Sequence, residues 1–351
     1  MRRRAFLAAA ACLAACVAER GSPAPSGEAA WSHVHHAVMP AVTLAPGQSF
    51  ETPALGASAG FDELLASWNL EREPGGAALV HARVLWAERA EPGPWLLLGA
   101  VGCDGVDDDE LAARAPLIEE PFAVEAPGLE IDVDFLRVHG ERPARAAIRV
   151  TSVGTAPVVA HRIDVTLSAR VARDRAAERG EPRLEPLALE VPFRSQRDAD
   201  PALAARICSP TSLAMALAFH GVDVPTEAVA ARAYDPRHDL YGVWPRAIQT
   251  AFELGVPGYL TRFSDWRDVR RELALGRPLV ISIAARPGAL TGAPYESTAG
   301  HLLVVTGLDG AGGVRVNDPA ARDADDGRRV YRLDELTACW MERGGTAYVL
   351  L

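Results

Sequence analysis

Three residues far apart in the chain, Cys208, His301 and Asp318, have the types and settings needed for thiol chemistry. Cys208 introduces Ser209-Pro210-Thr211-Ser212-Leu213-Ala214-Met215-Ala216-Leu217-Ala218, a strong helix-forming run. Ser209 suits the N-cap, Pro210 the first helical position and Gly221 the C-terminal stop. A cysteine at such a helix start feels the positive end of the helix dipole, which favours thiolate over thiol. A thiolate attacks carbonyl carbon, and it needs a base and a group to orient that base.

The base and its partner fit a β-hairpin. Gly300-His301-Leu302-Leu303-Val304-Val305-Thr306-Gly307-Leu308 reads as a strand, Asp309-Gly310-Ala311-Gly312 as a turn, and Gly313-Val314-Arg315-Val316-Asn317-Asp318-Pro319 as the return. With Leu308 opposite Gly313, Leu303 stands opposite Asp318. His301 and Asp318 are then diagonal neighbours on one face, roughly 7–8 Å apart at the sheet. A slip of one residue would put them on opposite faces. In this arrangement His301 takes the thiol proton and returns it to a leaving amine. Upstream, Gln196 follows the strand-like Leu189-Glu190-Val191-Pro192-Phe193. Its side-chain amide and the backbone N–H of Cys208 are suited to an oxyanion, each such donor contributing ~3 kcal/mol in related chemistry. Each residue also has a purely structural reading: a buried thiol, a core histidine, a turn aspartate.

The block Val191-Pro192, Gln196, Cys208-x-Pro210-x-Ser212-Leu213, Gly300-His301 and Asn317-Asp318-Pro319 resembles the C39-like peptidase domain of the papain-like superfamily, over residues 188–351. The resemblance implies an α+β papain-like cysteine peptidase domain. It assigns Gln196 to the oxyanion, Cys208 as nucleophile, His301 as base and Asp318 as third member. The chemistry requires no metal or organic cofactor. The expected substrate is a peptide or protein, hydrolysed through a thioester. A non-catalytic surface scaffold with a vestigial triad, and an acyl transferase using the same thioester, are the alternatives. The family keeps Cys-Gly-Pro; here Ser209 takes the glycine's place, with a side chain placed to crowd a passing substrate.

The positioning elements read as helices near 209–220, 226–234, 244–254, 265–275 and 333–341, on an antiparallel sheet of 279–285, 301–308, 313–318 and 346–351. His220 falls at a helix C-terminus, where a cation is favourable. His238 sits in a polar loop beside Asp235 and Asp239. Tyr241 and Trp244 suit core packing or a groove wall, and Arg286 to Ala299 a lid or a connection.

Before this domain, residues 47–172 read as an antiparallel β-sandwich. Ala78 to Ala87, Leu129 to Val138, Ala146 to Ser152 and His161 to Val171 show partial alternation between turn signals. Phe61-Asp62-Glu63-Leu64-Leu65-Ala66-Ser67-Trp68-Asn69, followed by Pro74-Gly75-Gly76, resembles a β-module that precedes the catalytic domain in some bacterial C39-like proteins. Residues 173–187 are charged and read as a linker. Residues 17–46 are rich in Gly, Ser, Pro and Ala and read as a flexible tether; His33, His35 and His36 within it have no evident metal-binding partners.

Residues 1–16 read as an export signal. Arg2-Arg3-Arg4 precede an apolar stretch, and Leu13-Ala14-Ala15-Cys16 resembles a lipobox, which implies a lipid on Cys16 and a membrane anchor at the cell envelope. Arg3-Arg4-Ala5-Phe6-Leu7 also resembles a twin-arginine signal. Export permits disulfides, but beyond Cys16 only Cys103, Cys208 and Cys339 remain, an odd number. The net charge of -10, with all 36 basic side chains Arg and no basic stripe, argues against nucleic-acid binding. The sequence sets no oligomeric state.

Overall fold

The computed structural model describes residues 29–103, 125–172 and 185–351. Cys16 and the signal, the start of the tether and residues 173–184 of the linker lie outside them. No helix among the described residues is long and apolar enough to cross a membrane.

The N-terminal part is built of β1 (Ala29–Val38), β2 (Val42–Leu44), β3 (Ser49–Glu51), β4 (Leu55–Gly56), β5 (Glu63–Arg72), β6 (Ala78–Leu85), β7 (Leu96–Val101), β8 (Glu125–Ala126), β9 (Leu129–Asp132), β10 (Phe135–Val138), β11 (Arg145–Ser152) and β12 (Val158–Ala172). One antiparallel sheet runs β1-β12-β5-β10-β9-β8, with β2 also on β12; the other runs β3-β11-β6-β7, with β4 on β11. Period-two alternation sends Leu64, Ala66, Trp68 and Leu70 of β5, and Ile163, Val165 and Leu167 of β12, into one apolar cluster. Val80, Ala82 and Val84 of β6 and Ile148 and Val150 of β11 enter it from the other sheet. Gly99 of β7 leaves room for the Trp68 ring, which a Cβ there would meet at 2.9 Å.

The expected tether ends earlier than residue 46. Residues 29–38 pair along β12, from Ala29 opposite Ala172 to Val38 opposite Ile163. Two polar side chains of this run find polar partners across the strand pair, and a third finds one on β4. His33 Nδ1 is 2.9 Å from Ser168 Oγ, His35 Nε2 is 3.0 Å from Asp164 Oδ1, and His36 Nε2 is 2.9 Å from the Gly56 carbonyl. Among the described residues no group of side chains is arranged to hold a metal ion.

The C-terminal part comprises β13 (Leu187–Ala188), α1 (Pro201–Ala204), α2 (Cys208–Phe219), α3 (Thr226–Ala233), α4 (Trp244–Glu253), β14 (Gly258–Arg262), α5 (Trp266–Ala274), β15 (Leu279–Ala285), β16 (Thr298–Leu308), β17 (Gly313–Asn317), α6 (Ala324–Gly327), β18 (Arg328–Arg332), α7 (Leu333–Cys339) and β19 (Thr346–Leu350). The sheet order is β14-β19-β15-β16-β17-β18, with β13 on β16. The end of the expected linker is therefore a strand. Gly307 of β16 permits the approach, since a Cβ there would stand 2.2 Å from the Leu187 carbonyl. The five long helices and four expected strands stand where the periodicity puts them; β14 and β18 are additions.

Helix α2 is apolar nearly all round because it is buried nearly all round. Cys208, Leu213 and Leu217 share a cluster with Ile248 of α4 and with Val280, Leu302 and Val304 of the sheet. On the sheet's other face Ile281, Leu303 and Val305 meet Val269 and Leu273 of α5 and Leu336 of α7.

The two parts share a polar and apolar interface. The face of β5 turned away from its own core carries Glu63, Leu65, Ser67 and Asn69, all buried. Leu65, with Phe135, joins the cluster around α2 and α4. Ser67 Oγ accepts the Leu260 N–H at 2.9 Å. The Asn69 side chain bonds both backbone groups of Gly258, donating to its carbonyl at 2.9 Å and accepting from its N–H at 3.2 Å. Gln249 returns the pattern, donating to the Leu70 carbonyl at 2.7 Å and accepting the Leu70 N–H at 3.0 Å. Arg262 pairs with Glu63, and Asp134 accepts the Trp244 N–H at 2.7 Å.

Candidate active site

Helix α2 starts one residue earlier than expected. Ile207 is the cap, Cys208 is already in the first turn, and Ser209 is not the N-cap. The first four N–H groups of a helix have no acceptor within it, so Cys208 and its neighbours point donors towards the helix start. Pro210 costs little there because its missing N–H belongs to that unbonded set. Ser209 is freed for another partner: its Oγ lies 2.9 Å from the Tyr348 hydroxyl in the core. It is 1% exposed and turned away from solvent, so the expected crowding of a substrate does not arise.

One turn along, Ser212 donates to the Leu302 carbonyl at 3.0 Å, which fastens α2 to the strand segment next to His301. The hairpin register corrects the expectation at its turn. Leu308 faces Val314 rather than Gly313, because Asp309 closes the turn by accepting the Ala311 and Gly313 N–H groups, each at 2.7 Å. An irregularity at Thr306 absorbs the extra residue, and Val304 faces Asn317. At the level of the site the expected register therefore holds. His301 Nε2 lies 2.8 Å from Asp318 Oδ1, with both side chains nearly or wholly buried.

Asp318 is held from all sides. Its Oδ1 also accepts the Ala320 N–H at 3.0 Å, and its Oδ2 accepts the hydroxyls of Tyr331 at 2.8 Å and Tyr295 at 3.1 Å. Burial pushes the carboxyl up, yet His301, the Ala320 N–H and the Tyr331 hydroxyl together hold it below its ordinary value. Neither tyrosine is evident from sequence, since nothing local links Tyr295 in a loop or Tyr331 in an Arg-rich strand to Asp318.

Gln196 opens a 3-10 turn over Gln196–Asp198. Its backbone N–H donates to the Pro319 carbonyl at 2.9 Å, and Ser195 Oγ and Arg197 Nε donate to the carbonyls of Ala321 and Ala320. The segment carrying Gln196 is thus clasped to the one following Asp318. The Gln196 side chain donates one N–H to the Ala204 carbonyl at 2.8 Å, and its Oε1 is buried with no hydrogen-bond partner. An amide nitrogen carries two N–H groups, so a second donor remains beyond that bond.

His220 is the C-cap residue of α2, but burial, with Arg277 adding to it, holds its pKa below the ordinary value, which works against the expected cation. His238 Nδ1 lies 3.4 Å from Asp235 within its own loop. Trp244 is buried and stacks on Phe135 at 6.2 Å, so it belongs to the interface core. Cys103, Cys208 and Cys339 form no disulfide.

No curated protein matches the chain. Solved structures with a similar fold include the following two. A C39-like peptidase candidate from Bacillus anthracis has 20% identity and TM-score 0.38, over 48% of this chain and 98% of that one. A double-glycine-motif protease from an AMS/PCAT transporter, in complex with the leader peptide, has 19% identity and TM-score 0.31, over 48% and 97%. Residues 188–348, the part that carries Gln196, Cys208, His301 and Asp318, match the Peptidase C39-like family.

Proposed function

We propose that this protein is an exported cysteine hydrolase that cleaves a peptide or amide bond through a thioester on Cys208. In this reading the C-terminal part is a papain-like domain and the N-terminal pair of sheets a β-sandwich preceding it. The observation that carries the proposal is the 2.8 Å contact between His301 Nε2 and Asp318 Oδ1, on a strand fastened to the helix that begins at Cys208.

With Nε2 committed to Asp318, Nδ1 is the ring nitrogen left to take the Cys208 proton. The thiolate attacks the carbonyl carbon, and the carbonyl π electrons move to oxygen. The Cys208 N–H and the second amide N–H of Gln196 receive that oxyanion. As it collapses, the C–N bond breaks and the imidazolium gives its proton to the leaving amine. Water, deprotonated by the same nitrogen, then hydrolyses the thioester and restores the thiol. Asp318 keeps the ring aligned and balances the imidazolium charge. The export signal and lipid on Cys16 would hold this chemistry at the cell envelope.

The test is to incubate the full chain with a defined peptide mixture and read new peptide ends by mass spectrometry, beside Cys208→Ala. New ends formed by the unaltered chain alone, with Cys208→Ala falling at least ~10³-fold, are expected. Equal cleavage by both proteins, or no cleavage by either, overturns the proposal.

A further inference from the structure

We propose that Tyr295 and Tyr331 are positioning residues for this site, and that Tyr295 makes the alignment of His301 depend on the segment 286–297. The inference rests on the reading of Cys208, His301 and Asp318 as a catalytic set. A carboxylate beside an imidazole has two oxygens and can rotate to offer either. Here Oδ2 is occupied by two hydroxyls from different elements, Tyr331 of β18 at 2.8 Å and Tyr295 of the β15–β16 connection at 3.1 Å. That leaves Oδ1 for His301, with the Ala320 N–H as its second fixed donor.

Both tyrosines remain protonated donors, because burial first, and then the Asp318 charge, push their hydroxyls far above the ordinary value. The charged and titratable groups facing Asp318 are His301 of β16, Tyr331 of β18 and Tyr295 of the connection, with Arg329 acting on Tyr331. The only charge directly against the carboxylate among these is the one that His301 gains in the reaction.

Tyr295 does a second thing that Tyr331 does not. Its ring meets the His301 ring edge-on, with centroids 4.9 Å apart. Tyr295 therefore fixes both partners of the His301–Asp318 bond from a single side chain. Its segment is anchored midway, upstream of Tyr295: the Thr291 N–H and hydroxyl both donate to Glu335 of α7, each at 2.8 Å. Movement of this connection would carry Tyr295 with it and release the ring and the carboxylate together. This assigns a role to a stretch whose sequence reads equally as a lid or a plain connection.

The experiment needs no substrate. The alkylation rate of Cys208 by iodoacetamide is measured against pH on the full chain, with labelling at Cys103 and Cys339 followed in the same digest. Tyr331→Phe and Tyr295→Phe remove a donor from Asp318. The carboxyl should then require a higher pH to ionise, and the acid limb of the Cys208 profile should move up by about one pH unit, the size of one lost charge-assisted hydrogen bond. Tyr295→Leu should show the same shift and, in addition, a plateau lower than that of Tyr295→Phe, because the ring contact is also gone. Circular dichroism melts confirm that each variant is folded. An acid limb unmoved in both Phe variants overturns this proposal alone. A Cys208 that labels no faster than Cys103 and Cys339 in the unaltered chain overturns it together with the catalytic reading.

Discussion

The two edges of the C-terminal sheet are finished in opposite ways. The β18 edge is left to solvent: Val330 is 53% exposed, and Arg328 and Arg332 flank it. Charged side chains on an exposed edge discourage pairing with another strand. The β14 edge is closed by side chains of the N-terminal part. Asn69 and Ser67 bond the backbone of Gly258 and Leu260 as a neighbouring strand would, and Gln249 does the same for Leu70 of β5. β10 pairs with β5 only from Glu63 to Leu65, so Leu70 lies beyond its cover. Each part thus caps a sheet edge of the other with an amide. The comparison teaches that the N-terminal sheets and the C-terminal sheet complete each other's hydrogen bonding and are packed as one unit.

Breaking the amide caps should produce the largest effect on stability. Asn69→Ala leaves the buried N–H and carbonyl of Gly258 without partners, and Gln249→Ala does so for Leu70. Each unsatisfied group costs about 1–3 kcal/mol, so each substitution, which leaves two, should cost roughly 2–6 kcal/mol in urea unfolding. In the double variant the two costs should fall short of adding, because both remove parts of one interface. A loss below ~0.5 kcal/mol for both single variants would refute the capping argument.

The same interface should carry a pH signature that the β18 edge lacks. Burial raises the Asp134 carboxyl to about 7, against the opposing Trp244 N–H and the charges of His238 and Arg262, with Asp132 adding to the rise. Between the ordinary carboxylate range and about 7, the folded chain holds a proton there that the unfolded chain has lost. Stability from this group is therefore greatest at the low end of that window and falls as pH rises through it. Asp134→Asn keeps an acceptor for the Trp244 N–H but cannot ionise. Relative to the unaltered chain, its unfolding free energy should rise by roughly 3 kcal/mol between pH 5 and pH 8. Parallel pH curves for the two proteins would remove Asp134 from the account.

At the open edge the expectation is smallest. Val330→Lys should change stability by less than ~0.5 kcal/mol, since the side chain already stands mostly in water. A loss on the scale of the Asn69 variant would mean that the two edges do not differ as described.

Much of the C-terminal part is legible locally. The helix expected at 265–275 is found over Trp266–Ala274, because Asp265 caps the Arg267 N–H and Gly276 adopts φ 76° beyond the last turn. The His301–Asp318 pair is legible because alternation and turn residues bring the two strands together. The turn register is not: a side chain, Asp309, chose it, and an irregularity at Thr306 restored the pairing near the site. Strand β1 is not legible locally because the partners of His33 and His35 are Ser168 and Asp164, more than a hundred residues away.

By itself, then, the sequence determined the main helices of the C-terminal part, four strands of its sheet and which residue types stand ready for thiol chemistry. Periodicity, caps and turns act over a few residues, and so they can be read along the chain. Tertiary structure alone decided that Ser209 turns inward to Tyr348, that two tyrosines hold Asp318, and that Asn69 and Gln249 close each other's sheets. Those contacts join segments with no local pattern in common. They are selected by the cost of burying a polar group without a partner, which arises only once the chain has folded.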